Sequence, residues 1–221
     1  VVERAPVAVL PTGGWILREG RAQRRETAVV VGDPAFGGLM PQLKGALVEA
    51  ERVAEIHRVR PLLRANATEA AVRVAVGSGT GVLHVATHGT FDAAHPLRSA
   101  IYLTGPDGQA AALTAAQLFE KPLQARLVVL SACETGVGRV VAGDDFLGLV
   151  RSFYLGGASA VVNSLWPVED EGTRLFMETF HANLRGGRYG AAWRAARDAT
   201  KAAGHPVWVY AAFVLGGSLQ Q

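Results

Sequence analysis

Cysteine is almost absent. Cys133 stands alone in 221 residues, so no disulfide can form within the chain. That usage fits a reducing compartment and leaves one thiol available for chemistry. No apolar run reaches 18 residues, which excludes a membrane-spanning helix. No signal-peptide pattern opens the chain, and Val1 stands where a Met would begin a complete protein, so a piece of a longer protein is expected. Neither sign of charge dominates: 22 Lys and Arg face 19 Asp and Glu, a net charge of +3. The one basic cluster, Arg18, Arg21, Arg24 and Arg25, has no aromatic residues interleaved and reads as a solvated loop rather than a nucleic-acid surface. Paired cysteines, His-Glu-x-x-His, Gly-x-Ser-x-Gly and the phosphate loop Gly-x4-Gly-Lys are all missing. The expectation is a cytoplasmic protein with no cofactor or metal, binding neither nucleic acid directly nor a membrane.

What is present is material for a large core: 49% of residues are hydrophobic and only 19% charged. Short apolar runs alternate with helical patterns, the mark of an α/β domain with a mostly parallel sheet. Strands are expected at 27–32, 59–63, 81–87, 125–132 and 158–166, with "VWVYAAFVL" at 207–215 as the last and a candidate sheet edge open to a partner. Helices are expected at 43–57, 67–76, 144–157, 169–187 and 190–204, with Thr68 capping the second. Residues 89–124 are less regular, with a short strand or hairpin at 99–104 and a helix at 114–119. Residues 1–26 read as an extended lead-in or linker, and residues 27–221 as the folded domain.

Two strand ends carry unusual punctuation. "HVATHG" puts His88 and Gly89 after a buried run, and "LVVLSACETGVG" puts Cys133 after another. Sites in open parallel sheets form beyond the C-terminal strand ends. If the two strands are neighbours, an imidazole and a thiol share one rim. The imidazole can then take the thiol proton, and the thiolate is the nucleophile. Gly89 lacks a Cβ, so a substrate can approach and its N–H can face a developing oxyanion, with the Cys133 N–H as second donor. The competing reading makes Cys133 a small buried hydrophobe and His88 a hydrogen-bonded strand-end residue. His84 reads as a core histidine.

"HVATHG", "LVVLSACETGVG", "GDDFLGLVRSFYLGGASAVVNSLWPVED" and "WVYAAFVLGG" resemble the CHAT domain of the caspase–separase group of cysteine peptidases, from Val29 to Gly217. The resemblance implies a caspase-like three-layer α/β/α sandwich around a mostly parallel sheet of about six strands. It implies His88 as base, Cys133 as nucleophile, and backbone oxyanion donors at Gly89 and Cys133. None of the matched motifs is degenerate. By similarity to separases, an acid after the Leu-Trp segment receives an arginine before the cut bond. That acid is Asp170 here, with Glu169, Asp144, Asp145 and Trp166 as further pocket residues. The plain alternative is that Glu169, Asp170 and Glu171 are helix N-terminal acids favoured by the dipole, and the same plain reading is the leading one for Asp144 and Asp145. Trp166 is either pocket wall or core. Arg98 or Arg139 would instead suit an aspartate.

The resulting expectation is an endopeptidase that cleaves proteins or peptides after Arg or Lys. A regulatory domain or activating partner outside this chain is expected to control it, in bacterial defence or regulated cell death. A second reading is a latent or non-catalytic regulatory module that binds partners. A third is a different thiol hydrolase acting on small esters. Loops 89–98 and 134–143 are the expected mobile elements.

Overall fold

The computed structural model describes residues 27–92, 94–131, 147–184 and 186–217. The first strand, β1 (Ala28–Pro34), is buried at every position. Its run of Val residues suits a strand covered on both faces. Helix α1 (Lys44–His57) returns along the sheet and ends at Arg58 in the left-handed conformation. Then come β2 (Leu62–Arg64), α2 (Glu69–Val76), β3 (Thr80–Ala86) and β4 (Gly89–Thr90). A 3-10 turn (Pro96–Arg98) leads to β5 (Ala100–Thr104) and β6 (Ala110–Thr114). Next are α3 (Ala115–Glu120), β7 (Ala125–Ser131), α4 (Leu147–Leu155) and β8 (Ala160–Ser164). The chain closes with α5 (Asp170–Ala182), α6 (Tyr189–Ala202), α7 (Val207–Tyr210) and β9 (Phe213–Gly217).

Six strands form the central sheet in the order β2-β1-β3-β7-β8-β9, parallel except for β9. A separate antiparallel sheet holds β4, β5 and β6. From β1 the chain turns one way to β2 and the other way to β3, so the winding reverses between β1 and β3. At such a reversal the loops part, leaving a crevice at the strand ends. One face of the sheet packs on α1, α5 and α6 through Val30, Val53, Val129, Phe176, Phe180 and the Phe213 of β9. The other packs on α2, α3, α4 and the small sheet through Val31, Val72, Val85, Leu103, Leu118 and Phe153. This is the expected three-layer α/β/α sandwich. No helix among the described residues is long and apolar enough to cross a membrane.

The expected last strand needs correction. Residues 207–210 are the helical turn α7, and only residues 213–217 form a strand, at the sheet edge and antiparallel to β8. Pro206 precedes the turn with extended backbone, and Ala211 ends it, so the apolar run is split rather than continuous. The region 99–104 is a true strand, but its partners β4 and β6 were not anticipated. They carry too few residues, or too much alanine, to show strand periodicity. The expected second strand begins later, at Leu62 rather than residue 59.

Helix α1 lies very close to β1. A Cβ at Gly32 would collide with the Ala50 side chain and come within 2.9 Å of the Ala46 carbonyl. Gly32→Ala therefore forces α1 outward, and urea unfolding should show a loss of about 1–3 kcal/mol.

Candidate functional site

β3 and β7 are adjacent and parallel, with Ala86 opposite Ser131. His88 is two residues beyond Ala86, and Cys133 is two residues beyond Ser131 in sequence. His88 is 1% exposed. Its Nε2 is 2.8 Å from the Pro41 carbonyl oxygen. A carbonyl can only accept, so Nε2 carries a hydrogen, and in the neutral ring the lone pair is on Nδ1. That Nδ1 is buried and has no hydrogen-bond partner among the described residues. The Phe36 ring, itself fully buried, lies 4.9 Å from the imidazole and holds it from the side. The Pro41 carbonyl and the Phe36 ring together fix the orientation of the imidazole.

The loop that supplies Pro41 is fixed from beneath. Asp33 sits at a register shift in the β1–β2 pairing with φ +42°, a left-handed conformation that Asp tolerates better than most residues. The kink turns its fully buried carboxylate toward the loop. Oδ1 accepts from Leu43 N at 2.7 Å and from Gln42 Nε2 at 2.6 Å, while Oδ2 pairs with Arg64 at 2.7 Å. Charge-assisted bonds of this kind are among the stronger ones in proteins. Asp33 thereby fixes residues 42 and 43, next to the carbonyl that orients His88. Neither Asp33, Phe36 nor Pro41 was singled out from sequence. "VVVGDP" does contain the signal, an acid and a proline ending a buried strand.

Gly89 is in β4 opposite Ile101. The bond from Tyr102 N to the His88 carbonyl, 3.0 Å, marks this as a non-hydrogen-bonded pair. The Gly89 N–H consequently faces away from β5. Cys133, Asp144, Asp145 and Arg139 lie outside the described residues.

Asp170 opens α5 and is exposed, and its carboxylate lies against Gly45, where any Cβ would collide with it. Gly45 is four residues past Pro41, so Asp170 and His88 border the same short segment. Glu169 Oε1 is engaged by His205 Nδ1 at 2.8 Å. Trp166 is half-buried against the α5–α6 core, and its Nε1–H donates to the Trp208 carbonyl at 2.7 Å. Arg98 is exposed at the end of the 3-10 turn, and the loop before it is tied by Asp92 N to Ser99 Oγ and by His95 N to Asp92 Oδ1.

Further along the same sheet face is a buried polar group, with Glu49, His84 and His181 at 3%, 0% and 2% exposure. Burial, and then the neighbouring His84 imidazole, hold His181 well below the ordinary imidazole range. The same causes lower half-buried His57.

The comparisons agree with this architecture. The Arg-specific cysteine proteinase gingipain R superposes with a TM-score of 0.57 at 10% identity, over 97% of this chain and 49% of that one. A second solved structure, described as a protease, gives 0.59 at 12% identity, over 94% and 50%. The fold is therefore that of the caspase-like cysteine proteinases. A family model described as the CHAT domain matches residues 1–218, and the chain belongs to that family. Mouse (Mus musculus) tetratricopeptide repeat protein 28 is 37% identical over 111 residues, 48% of this chain and 4% of that protein. The human (Homo sapiens) protein of the same name is 34% identical over 118 residues, 51% of this chain and 5% of that protein. The chain thus corresponds to a small part of these relatives' length.

The depressed histidines have a measurable consequence. Once unfolded, His57 and His181 take up protons near pH 6.5, which the folded chain resists. The unfolded state then binds more protons, so stability is full above about pH 6.5 and falls as pH drops below it. Thermal melts across this window should show Tm decreasing with acidity, and His57→Gln should flatten the slope.

Proposed function

We propose that this chain is a cysteine endopeptidase domain in which His88 is the general base and Cys133 the nucleophile. The observation that carries the reading is the His88 imidazole. Its Nε2–H is committed to the Pro41 carbonyl, and its buried Nδ1 is left basic and unpaired among the described residues. Nδ1 takes the Cys133 thiol proton as the sulfur adds to the scissile carbonyl carbon. The oxyanion is met by the Gly89 and Cys133 N–H groups. The imidazolium then gives its proton to the departing amine, leaving a thioester. Water, deprotonated by the same nitrogen, releases the acid and restores the thiol.

Cleavage after Arg, and more weakly after Lys, is the specificity we propose. Asp170 is the arginine acceptor, beside the segment that orients His88, and a planar guanidinium makes a bidentate pair with such a carboxylate. Asp144 and Asp145 remain further pocket acids, and Trp166 a wall. Glu169, taken up by His205, serves best as support for the turn before α5. The similarity of this fold to gingipain R, which is named as an Arg-specific cysteine proteinase, points the same way. The relatives are named for tetratricopeptide repeats, stacked units that build extended binding surfaces. We read the domain as working beside such a partner-binding region, which presents or restrains substrate. The same names favour a second reading, a latent module whose main task is interaction.

A peptidyl thiol-reactive probe should label Cys133, and His88→Ala should slow labelling by about 10²–10⁴-fold. Fluorogenic peptides ending in Arg should be cut, with Asp170→Ala lowering kcat/KM by about 10²-fold. Cleavage after Asp that Asp170→Ala leaves untouched would overturn the pocket. Absence of both labelling and cleavage would favour the interaction module.

A further inference from the structure

Strand β5 belongs to the small sheet, outside the central one, yet it reaches His88 by two routes. The first runs through main chain. Tyr102 N–H donates to the His88 carbonyl at 3.0 Å, and the Tyr102 carbonyl accepts from the Thr87 hydroxyl at 2.6 Å. These bonds fix the backbone of residues 87 and 88. The second route starts two residues on, at Thr104, which ends β5 and is 3% exposed. Its hydroxyl donates to the Arg64 carbonyl at 2.8 Å and accepts from the Ala35 N–H at 2.9 Å. A carbonyl can only accept, so the single O–H goes to Arg64 and a lone pair is left for Ala35. Thr104 is itself held by main chain, its N–H donating to the Ala67 carbonyl at 2.9 Å.

Ala35 opens the segment that supports the imidazole. Phe36, next to it, sets its ring 4.9 Å from His88, and Pro41, further on, offers the carbonyl that Nε2–H meets at 2.8 Å. Each support lies one residue inside an anchor. At one end Ala35 is tied to Thr104, and at the other Gln42 and Leu43 are tied to Asp33. Asp33 is on β1, from which the segment leaves, whereas Thr104 reaches it from a different sheet. Between the anchors residues 37–39 are exposed, and Gly37 and Gly38 have φ of +58° and +83°. The turn between β5 and β6 also meets this stretch, because a Cβ at Gly37 would collide with the Gln109 side-chain amide.

We propose that Thr104 is a positioning residue for His88: through Ala35 it sets where the Phe36 ring stands, and so the direction in which the imidazole presents Nδ1. The consequence for catalysis rests on the reading of His88 as the general base. Two residues of strand span about 7 Å, so Tyr102 and Thr104 hold the backbone of the histidine and its lateral support at a fixed spacing on one element. Valine has nearly the shape of threonine, but it would leave the Ala35 N–H without the partner the hydroxyl supplies. A threonine that only satisfied a strand end would contribute stability and leave the ring where it is. A positioning threonine moves the ring when its hydroxyl is lost. On this account the β5–β6 hairpin is part of the site, acting through the segment that carries Phe36 and Pro41.

The test uses the whole chain with labelled histidine, and NMR of the His88 ring, assigned by its loss in His88→Ala. In wild type the Nε2–H proton should exchange slowly with water and show a through-space contact to the Phe36 ring. Thr104→Val should speed that exchange about tenfold and weaken the contact, with amide exchange in β3 and β7 unchanged. Thr104→Ser, which keeps the hydroxyl, should restore both. With peptides ending in Arg, Thr104→Val should lower kcat by about 10–10²-fold and leave KM as it was. A Thr104→Val ring that matches wild type, or a Thr104→Ser protein as impaired as Thr104→Val, would overturn the proposal. Where Thr104→Val does not fold, Ala35→Pro deletes the same bond from the donor end and leaves Thr104 on Arg64. The same ring changes are expected there, and their absence overturns the proposal equally. The ring is read whether or not peptides are cut. Ring changes in a protein that cleaves nothing would leave the positioning standing and defeat the peptidase reading alone, and cleavage with an unmoved ring would do the reverse.

Discussion

Everything at the candidate site depends on the parallel pairing of β3 with β7. Parallel neighbours lie about 4.8 Å apart with evenly spaced bonds, so the register Ala86 to Ser131 carries both chains to one rim together. The apolar faces of both strands are covered by helices, and a slip of one residue would turn their side chains to the wrong layer. The burial that stabilises the sheet therefore also sets where the polar residues after each strand emerge. Helix α1 adds to this constraint, because the bare backbone of Gly32 lets it settle directly onto β1 and bring residues 41–45 over the rim.

Two buried carboxylates divide the work around that rim. Asp33 faces the loop between β1 and α1 and fixes it through Leu43 and Gln42. Glu49, on α1 itself, faces the sheet and meets β7 through Ser131 and β3 through His84. Each would be costly to bury alone, and each has several polar partners that offset the loss of water. The first orients the residues around His88, and the second reaches the strand that precedes the thiol. Sheet, loop and helix are thus tied by charge as well as by packing.

Much of this was legible in the sequence, for physical reasons. Long β-branched runs such as 27–32 and 125–132 mark strands buried on both faces, and the structure has β1 and β7 there. The helical periodicity of 43–57 and 190–204 became α1 and α6. His88 stood out because a histidine and glycine ending an apolar run break its pattern. The partners of His88 did not stand out. Pro41 acts through its carbonyl, a group every residue has, and Asp33 acts through a kink that no local pattern announces. Glu49 was missed although it lies at helical spacing from Ala46 and Val53, a charge on an otherwise apolar face. The last apolar run misled for a similar reason. Short apolar stretches fit a strand and a helical turn equally well, and Pro206 shifted the balance locally.

The contact between His88 and Pro41 has a further implication. The orienting acceptor belongs to the main chain, so no exchange of side chain at position 41 can delete it. A triad built on an Asp or Asn can be inactivated by one codon, whereas here the alignment of the imidazole is a property of loop position. A change of side chain at residue 41 leaves this acceptor in place. Displacing residues 35–43 would release the ring without altering any group it touches. The alignment of this histidine is inherited through backbone shape, and can be switched in the same way.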